Sequence, residues 1–334
     1  MKNLNKLLLF IICPCFTIAC SSGSSGNNSS TALNIVTVPT FNYEPGNKTA
    51  VMASIGGGEL VIAEIDTGSE MTVVNESAVG SNIIKTSESI QIVYGAGTNT
   101  VSGYLAYGSV EFTTSSGNVL ATSPNTPILV VESGDVNQGG GNNAILGMRM
   151  DNQVSSRLFL PFPYNQMMIL NKSESFIAFG SLSSTQLKNF ATISQIAVTC
   201  DNLDIPATLS NSCWGTTESS VTYSYSLASG GTGNTNYTTI FDSGEAIGNF
   251  YLGAGVPNWM QLDNHNFITT QLSATINTNI GPIPLPLTIP MRYTQPLSSS
   301  TNTVNPGNQL FDTYQVLFNQ VNGEIGFLAY NESW

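Results

Sequence analysis

The sequence predicts an all-β fold, and three features of it support this. From about residue 51 onward the chain consists of short runs rich in Val, Ile, Thr, Tyr and Phe, separated by Gly, Asn and Ser turns. No long segment repeats its apolar residues every 3.6 positions, so helices should be few and short. Of the 334 residues 41% are hydrophobic, which is enough to bury a core. The predicted strands include residues 60–65, 89–94, 109–113, 128–131, 176–179 and 314–318.

The composition excludes several classes of function. With 9 basic and 21 acidic residues the formal net charge is -12, so no nucleic-acid partner is expected, because phosphate binding needs clustered Lys and Arg. His265 is the single histidine. A Ser-His-Asp hydrolase would need this histidine at one fixed place, and a His-rich metal site would need several histidines. The polar residues around His265 indicate a solvated loop. We expect neither a metal nor a cofactor.

Residues 1–20 have the layout of a secretory signal. Two lysines precede a short apolar run, which ends at Cys20 and is followed by a polar Ser, Gly and Asn segment. This pattern resembles a bacterial lipoprotein signal. The resemblance implies a lipidated Cys20, a flexible tether over residues 21–45, and an exported protein anchored in the cell envelope, with the outer membrane as the expected location. An ordinary cleaved signal peptide is the alternative.

Two further cysteines lie in the second half of the chain. In an exported protein Cys200 and Cys213 are expected to form a disulfide, which would stabilise the fold by about 3 kcal/mol. Two free thiols are the alternative. A zinc site would need more ligands than these two cysteines supply.

Three other segments have an unusual composition. Residues 139–143 and 229–236 are rich in glycine and polar residues, and neither continues into a Gly-Lys-Ser/Thr sequence, so both should be surface loops. Residues 281–290 contain four prolines. Proline cannot donate to a strand ladder, so this segment should lie on the surface or at the edge of a sheet.

An approximate internal repeat carries the chemistry. In both copies a β-prone apolar run ends in Asp, a hydroxyl residue and Gly, and the two copies lie 176 residues apart. This spacing predicts two lobes, residues 46–188 and 189–334, related by a pseudo-twofold axis, with the aspartates meeting between them. The first copy is Asp66-Thr67-Gly68-Ser69 and the second is Asp242-Ser243-Gly244-Glu245.

Two aspartates at such a seam can perform acid and base chemistry. Carboxyls a few ångströms apart cannot both ionise cheaply, so one of them holds a proton. One can then activate a water while the other polarises a carbonyl. We expect Gly68 and Gly244 to permit the tight turns, and Thr67 and Ser243 to hydrogen-bond across the seam. Two Asx-type turns closing hairpins are the alternative.

Further segments resemble the pepsin-like aspartic proteases, and the likeness extends from about residue 48 to residue 329. Residues 90–97 are similar to the flap hairpin, residues 144–148 to the apolar-apolar-Gly segment under the first aspartate, and residues 176–180 to the strand that closes the N-terminal lobe. The last strands of that family resemble residues 310–319 and 323–329.

The resemblance implies a bilobal fold that hydrolyses peptide bonds through a water held between Asp66 and Asp242, in a monomer. An extended polypeptide substrate would lie between the lobes, covered by a flap that contains Tyr94, Gly95 and Gly97. Ser69 would hydrogen-bond the first aspartate from outside.

The sequence departs from the family pattern at two positions. Glu245 stands where a small residue is usual, and if its carboxylate approaches Asp242 it would raise the local pKa values. Val73 stands where many members have a tryptophan that supports the flap tyrosine. An alternative function is therefore a pepsin-fold surface protein that binds a partner without hydrolysing it.

Overall fold

The computed structural model describes residues 35–43, 46–94, 99–136, 141–150, 155–200, 213–216, 220–296 and 302–334. The predicted signal segment with Cys20 and the flap residues Gly95 and Gly97 lie outside the described residues. So does most of the predicted tether.

Strands account for most of the described chain. In the first half they are β1 Val36–Pro39, β2 Phe41–Tyr43, β3 Lys48–Ile55, β4 Val61–Asp66, β5 Thr72–Asn75, β6 Ile83–Tyr94, β7 Asn99–Gly108, β8 Val110–Thr113, β9 Val119–Ala121, β10 Thr126–Ser133, β11 Ala144–Gly147, β12 Met167–Asn171 and β13 Phe176–Gly180. In the second half they are β14 Ala191–Ser194, β15 Ile196–Ala197, β16 Trp214–Gly215, β17 Val221–Ser226, β18 Thr232–Asn236, β19 Thr238–Thr239, β20 Asn249–Leu252, β21 Gln271–Thr278, β22 Gly281–Leu285, β23 Arg292–Thr294, β24 Asn302–Asn305, β25 Tyr314–Asn319 and β26 Glu324–Ala329.

Helices are few and short, which confirms the all-β prediction. The one α-helix of the described residues is α1 Ser184–Leu187, which begins with a capping box made by Ser183 and Gln186. Single 3₁₀ turns occupy Glu76–Ala78, Ser156–Phe159 and Asn308–Asp312. No helix within the described ranges has the length and apolar character needed to cross a membrane.

The largest sheet contains ten strands and comes from the first half of the chain. Its order is β6-β7-β10-β5-β11-β4-β3-β8-β9, with β2 added beside β3. Strand β4 lies inside this sheet, antiparallel to β3 and parallel to β11. Because the strand has neighbours on both edges, the residue at its end is held in a defined position.

Two four-stranded sheets come from the second half, with orders β18-β17-β21-β22 and β19-β24-β20-β23. Strand β22 carries the first part of the proline-rich segment and pairs only with β21 among the described strands. The predicted edge position of this segment is therefore confirmed.

A six-stranded sheet combines strands from both halves of the chain, in the order β1-β13-β12-β25-β26-β14. Its central strand pair, β12 with β25, brings Met168 opposite Phe318 and Leu170 opposite Val316, and these four side chains are buried. Burial of these apolar side chains stabilises the join between the two halves. The predicted lobe boundary at residue 188 stays a prediction.

The end of the predicted tether is wrong. Strand β1 pairs with β13 and β2 pairs with β3, so residues 36–43 belong to the folded body. Val38 is buried in the core, and the short run has the β-branched composition that favours a strand.

A disulfide joins Cys200 to Cys213, with 5.3 Å between their Cα atoms. The predicted pairing is therefore confirmed. The short ladder β15–β16 lies beside it, and the Trp214 indole donates a hydrogen bond to the Gln320 carbonyl over 3.1 Å. The crosslink thus lies next to a buried aromatic anchor.

Candidate active site

Related strand pairs position the two aspartates. Asp66 is the last residue of β4, and it lies opposite Gly147 in the parallel ladder with β11. In the second half β19 runs parallel to β24, and the same register continued to Asp242 reaches Gly307. Each aspartate therefore lies opposite a glycine in the register of a parallel strand pair.

The two carboxyls meet. The charge of Asp66 acts on Asp242, and each motif glycine lies against the opposite carboxyl. A Cβ placed on Gly68 would lie 2.3 Å from Asp242 Cγ, and one placed on Gly244 would lie 2.7 Å from Asp66 Cγ. Both glycines lie in turns, as expected, but neither has a positive φ, so the turn by itself does not require glycine there. Glycine is required because any side chain would collide with the opposite aspartate.

Thr67 and Ser243 join the two loops symmetrically. Thr67 N donates to Ser243 Oγ over 3.2 Å, and Ser243 N donates to Thr67 Oγ1 over 2.9 Å. The hydroxyls in turn donate to main-chain carbonyls of the opposite half, Thr67 to Phe241 and Ser243 to Ile65, both over 2.6 Å. All of these groups are buried, so the loops have little freedom to move apart.

Each carboxyl accepts two further hydrogen bonds. Gly68 N donates to Asp66 Oδ1 over 2.8 Å, and Gly244 N donates to Asp242 Oδ1 over 2.7 Å. Ser69 Oγ donates to Asp66 Oδ2 over 2.6 Å, which is the contact expected from the resemblance.

On the other side Asn305 Nδ2 donates to Asp242 Oδ2 over 2.7 Å. The sequence analysis did not identify Asn305. The signal that could have found it is an Asn directly before Pro306 and Gly307, at the end of a short β-prone run.

The pair retains a proton above the ordinary range of an aspartate. Burial raises the pKa of Asp242 most, and the charges of Asp66 and Glu245 raise it further, whereas the Gly244 amide opposes them. A proton held on Asp242 can be shared with the neighbouring carboxyl of Asp66. A carboxyl pair with one proton can act as acid and base at once.

Glu245 is the fourth residue of the second motif, where the first motif has Ser69. It lies near the carboxyl pair but does not give Asp242 the hydrogen bond that the Ser69 hydroxyl gives Asp66. Its carboxylate accepts a hydrogen bond from Ile247 N over 3.4 Å and contacts the Tyr251 hydroxyl. Burial raises the pKa of Glu245 to about 7, against the opposing effect of Lys48. The Glu245 carboxylate therefore approaches Asp242, as considered from the sequence, and beyond the effect of burial its charge raises the pKa of that aspartate.

A buried ion pair adjoins the site and was not predicted. Glu64 lies two residues before Asp66 on β4, and so points to the same face of the strand. Lys48 Nζ donates to Glu64 Oε1 over 2.9 Å, the Tyr43 hydroxyl donates to Oε2, and a Cβ on Gly244 would lie 2.9 Å from Oε1. Burial raises the pKa of Glu64, and the Lys48 ammonium opposes this. The available signal was a single acidic residue in an apolar strand.

Tyr94 ends strand β6 and reaches the site from the flap side. Burial raises the pKa of Tyr94, and the charge of Asp66 raises it further. Its hydroxyl lies beside Ser69. The ring packs against an apolar cluster that includes Val73 and Ile145, so the residue at 73 contacts the same cluster as the flap tyrosine.

Comparison with known proteins gives one kind of similarity. No protein-family model and no curated protein sequence matches the chain. Among solved structures, the aspartic proteinase from Irpex lacteus superposes with a TM-score of 0.54 at 14% identity, over 88% of this chain and 97% of that one. The chain has the fold of the pepsin-like aspartic proteinases. At this identity the likeness establishes the fold alone, and the site residues support the function.

Proposed function

We propose that the chain is an aspartic endopeptidase, with Asp66 and Asp242 as its catalytic residues. The observation that supports this most is the paired carboxyls themselves, each packed against the glycine of the opposite motif, with matched amide donors from Gly68 and Gly244. A pair of hairpin turns would not need this arrangement.

The reaction follows from the shared proton. A water between the carboxyls loses its proton to the ionised member and attacks the peptide carbonyl carbon, while the protonated member donates to the carbonyl oxygen. The tetrahedral diol then collapses: the carboxyl that took the proton of the water gives it to the amide nitrogen as the C–N bond breaks, and the other carboxylate takes the proton of the diol hydroxyl that becomes the new carbonyl. Gly68 and Gly244 allow the two carboxyls to approach each other closely enough to share this water.

The substrate we propose is an extended polypeptide. Tyr94 lies at the end of a long hairpin formed by β6 and β7. Burial raises the pKa of its hydroxyl and the charges of Asp66 and Asp242 raise it further, so the side chain lies near both aspartates. A peptide bond reaching the carboxyls would be covered by this tyrosine. Exclusion of water around the reacting bond strengthens the electrostatic interactions there.

Digestion of a denatured protein mixture by the purified full chain tests the proposal, from acidic to neutral pH. Cleavage should be blocked by a peptide that carries a hydroxyl in place of the scissile carbonyl, since such a group binds between the carboxyls. Glu59→Gln changes an exposed glutamate and is the matched control that should cleave normally. Absence of cleavage at every pH by folded protein would contradict the proposal.

A second candidate function is binding without hydrolysis, on the same fold. Glu245 favours it, because an additional carboxylate near Asp242 raises the cost of ionising the pair. Under this alternative the hydroxyl-bearing peptide could still bind, but no peptide bond would be cut.

We also propose that the protein is exported and held in the cell envelope by a lipid on Cys20. The proposal is supported by the order of basic, apolar, cysteine and polar residues at the start of the sequence. Replacement of Cys20 by Ala should release the protein from membrane fractions. A C20A variant that sediments with membranes as fully as the wild type would contradict the anchor.

A further inference from the structure

Asn305 makes two hydrogen bonds that determine the orientation of its amide. Gly307 N donates to Asn305 Oδ1 over 3.0 Å, so the Nδ2 group is the one that faces Asp242. An amide nitrogen can only donate. Asp242 Oδ2 is therefore an acceptor in this arrangement, which favours the proton of the pair on another carboxyl oxygen.

The internal repeat shows what Asn305 replaces. In the first half Ser69, the fourth residue of the motif, donates to the outer oxygen of Asp66. The fourth residue of the second motif is Glu245, whose carboxylate accepts from Ile247 N and cannot supply that donor when ionised. Asn305, at the end of strand β24, supplies this hydrogen bond to Asp242 instead.

In the first half of the chain, the strand position that corresponds to Asn305 holds an apolar residue. Counting back from Gly147 and Gly307, which end the two related segments, Asn305 corresponds to Ile145. Ile145 is 2% exposed and belongs to an apolar cluster, whereas Asn305 is 5% exposed and has both of its polar atoms bonded. A buried asparagine in a strand is costly unless its hydrogen bonds are made, and here one of them goes to the aspartate.

We propose that Asn305 is a positioning residue for the reaction: its amide fixes the Asp242 carboxyl and confines the shared proton to the oxygens that face the water. This inference rests on the proposed function. The titratable groups whose charges reach Asp242 from the surrounding elements are those of Lys48, Asp66, Tyr94, Glu245 and Tyr251. Among these neighbours of Asp242, the Asn305 side chain is neutral, and its Nδ2 group can only donate to the carboxyl.

The test compares Asn305→Leu with the wild type in kcat, KM and pH profile. A hydrogen bond to a charged group corresponds to a loss of about 10- to 100-fold in kcat, with KM nearly unchanged because no substrate contact is removed. Both limbs of the profile should move to higher pH, because a donor that stabilises an ionised carboxylate lowers its pKa and its removal raises it.

Two further variants separate positioning from packing. Asn249 lies directly opposite Asn305 in the β20–β24 ladder, is similarly buried, and donates to the Ile247 carbonyl. Asn249→Leu should leave the pH profile unchanged. The double variant E245S/N305L places a hydroxyl where the repeat has Ser69, and it should recover most of kcat. An equal shift in the Asn249 variant, or no rescue by the serine, would overturn the inference.

A third variant serves if Asn305→Leu does not fold. Asn305→Asp has the same shape and keeps the acceptor for Gly307 N, and it can donate to Asp242 only while its own carboxyl is protonated. Its activity should therefore be confined to the acidic side of the wild-type profile. A wild-type profile in this variant would contradict the inference.

Inactivity of the wild type would contradict the proposed function and still leave the contact testable. The carboxyl carbon of Asp242 would then be followed by NMR against pH in the wild type and in Asn305→Leu. A higher midpoint in the variant supports the contact, and equal midpoints overturn it.

Discussion

Thr67 and Ser243, 176 residues apart, exchange hydrogen bonds between the hydroxyl of each and the backbone N–H of the other. Each hydroxyl also donates to a carbonyl of the opposite half. Two short side chains thereby satisfy four buried backbone groups and hold the two aspartate loops against each other.

Replacement of Thr67 by Val keeps the shape and removes the two hydrogen bonds of the Thr67 hydroxyl. Ser243 N and the Phe241 carbonyl lose their partners, and each buried unsatisfied group costs about 1–3 kcal/mol. The free energy of unfolding should fall by about 2–5 kcal/mol in urea denaturation. Thr113→Val, at an exposed strand position, should change it by less than about 0.5 kcal/mol. Equal effects of the two variants would show that the exchange contributes nothing.

Glu245 makes stability depend on pH. The pKa of Glu245 in the folded protein is about 7, above its ordinary value of 4.5. The contribution of Glu245 to the free energy of unfolding is therefore fully present below its ordinary pKa, and it is lost as the pH rises through about 7. Glu245→Gln stays uncharged, so from about pH 4 to about pH 8 its stability should rise relative to wild type by up to about 3 kcal/mol. Urea denaturation at both pH values measures this. A constant difference between the two proteins would contradict it.

Lys48 neutralises a carboxylate that lies next to the aspartates. Burial lowers the pKa of Lys48, but the carboxylates of Glu64, Asp66 and Asp242 together raise it by more. Lys48→Met leaves Glu64, whose side chain is 3% exposed, without its cation and should destabilise the protein by about 3 kcal/mol at neutral pH. The loss should shrink at acidic pH, where Glu64 is protonated in both folded and unfolded states.

Two variants control this prediction. The double variant K48M/E64L replaces the pair by apolar side chains and should regain most of the stability. Lys85→Met breaks an exposed pair with Glu132, whose side chains are 58% and 52% exposed, and should cost less than about 1 kcal/mol. A Lys48 variant as stable as the Lys85 variant would show that the buried pair is not needed.

The fold and the centre of the site could be predicted because their signals are local. A strand pattern and a four-residue motif are contiguous in sequence, and repetition of the motif indicated that Asp66 and Asp242 meet. The strands at residues 60–65 and 314–318 differ from β4 and β25 by a single residue at each end at most.

Asn305 and Lys48 could not be assigned in this way. Asn305 lies 63 residues from the aspartate that it contacts, and nothing near it in sequence indicates the contact. Lys48 appears as an ordinary charged residue at the start of a strand, and only the pairing of β2, β3 and β4 brings it to Glu64. Such contacts depend on strand register, which a single sequence specifies weakly.

Cleavage of the same denatured substrate by the wild type, Asp66→Asn and Asp242→Asn tests the central claim most directly. Each variant keeps the size and shape of the side chain and replaces one acceptor oxygen by an amide donor, so circular dichroism and urea denaturation check that the protein is folded. The account predicts that each variant loses at least about 10³-fold in activity, since each removes a group that transfers a proton. Activity within about tenfold of wild type in either folded variant would contradict catalysis by this pair.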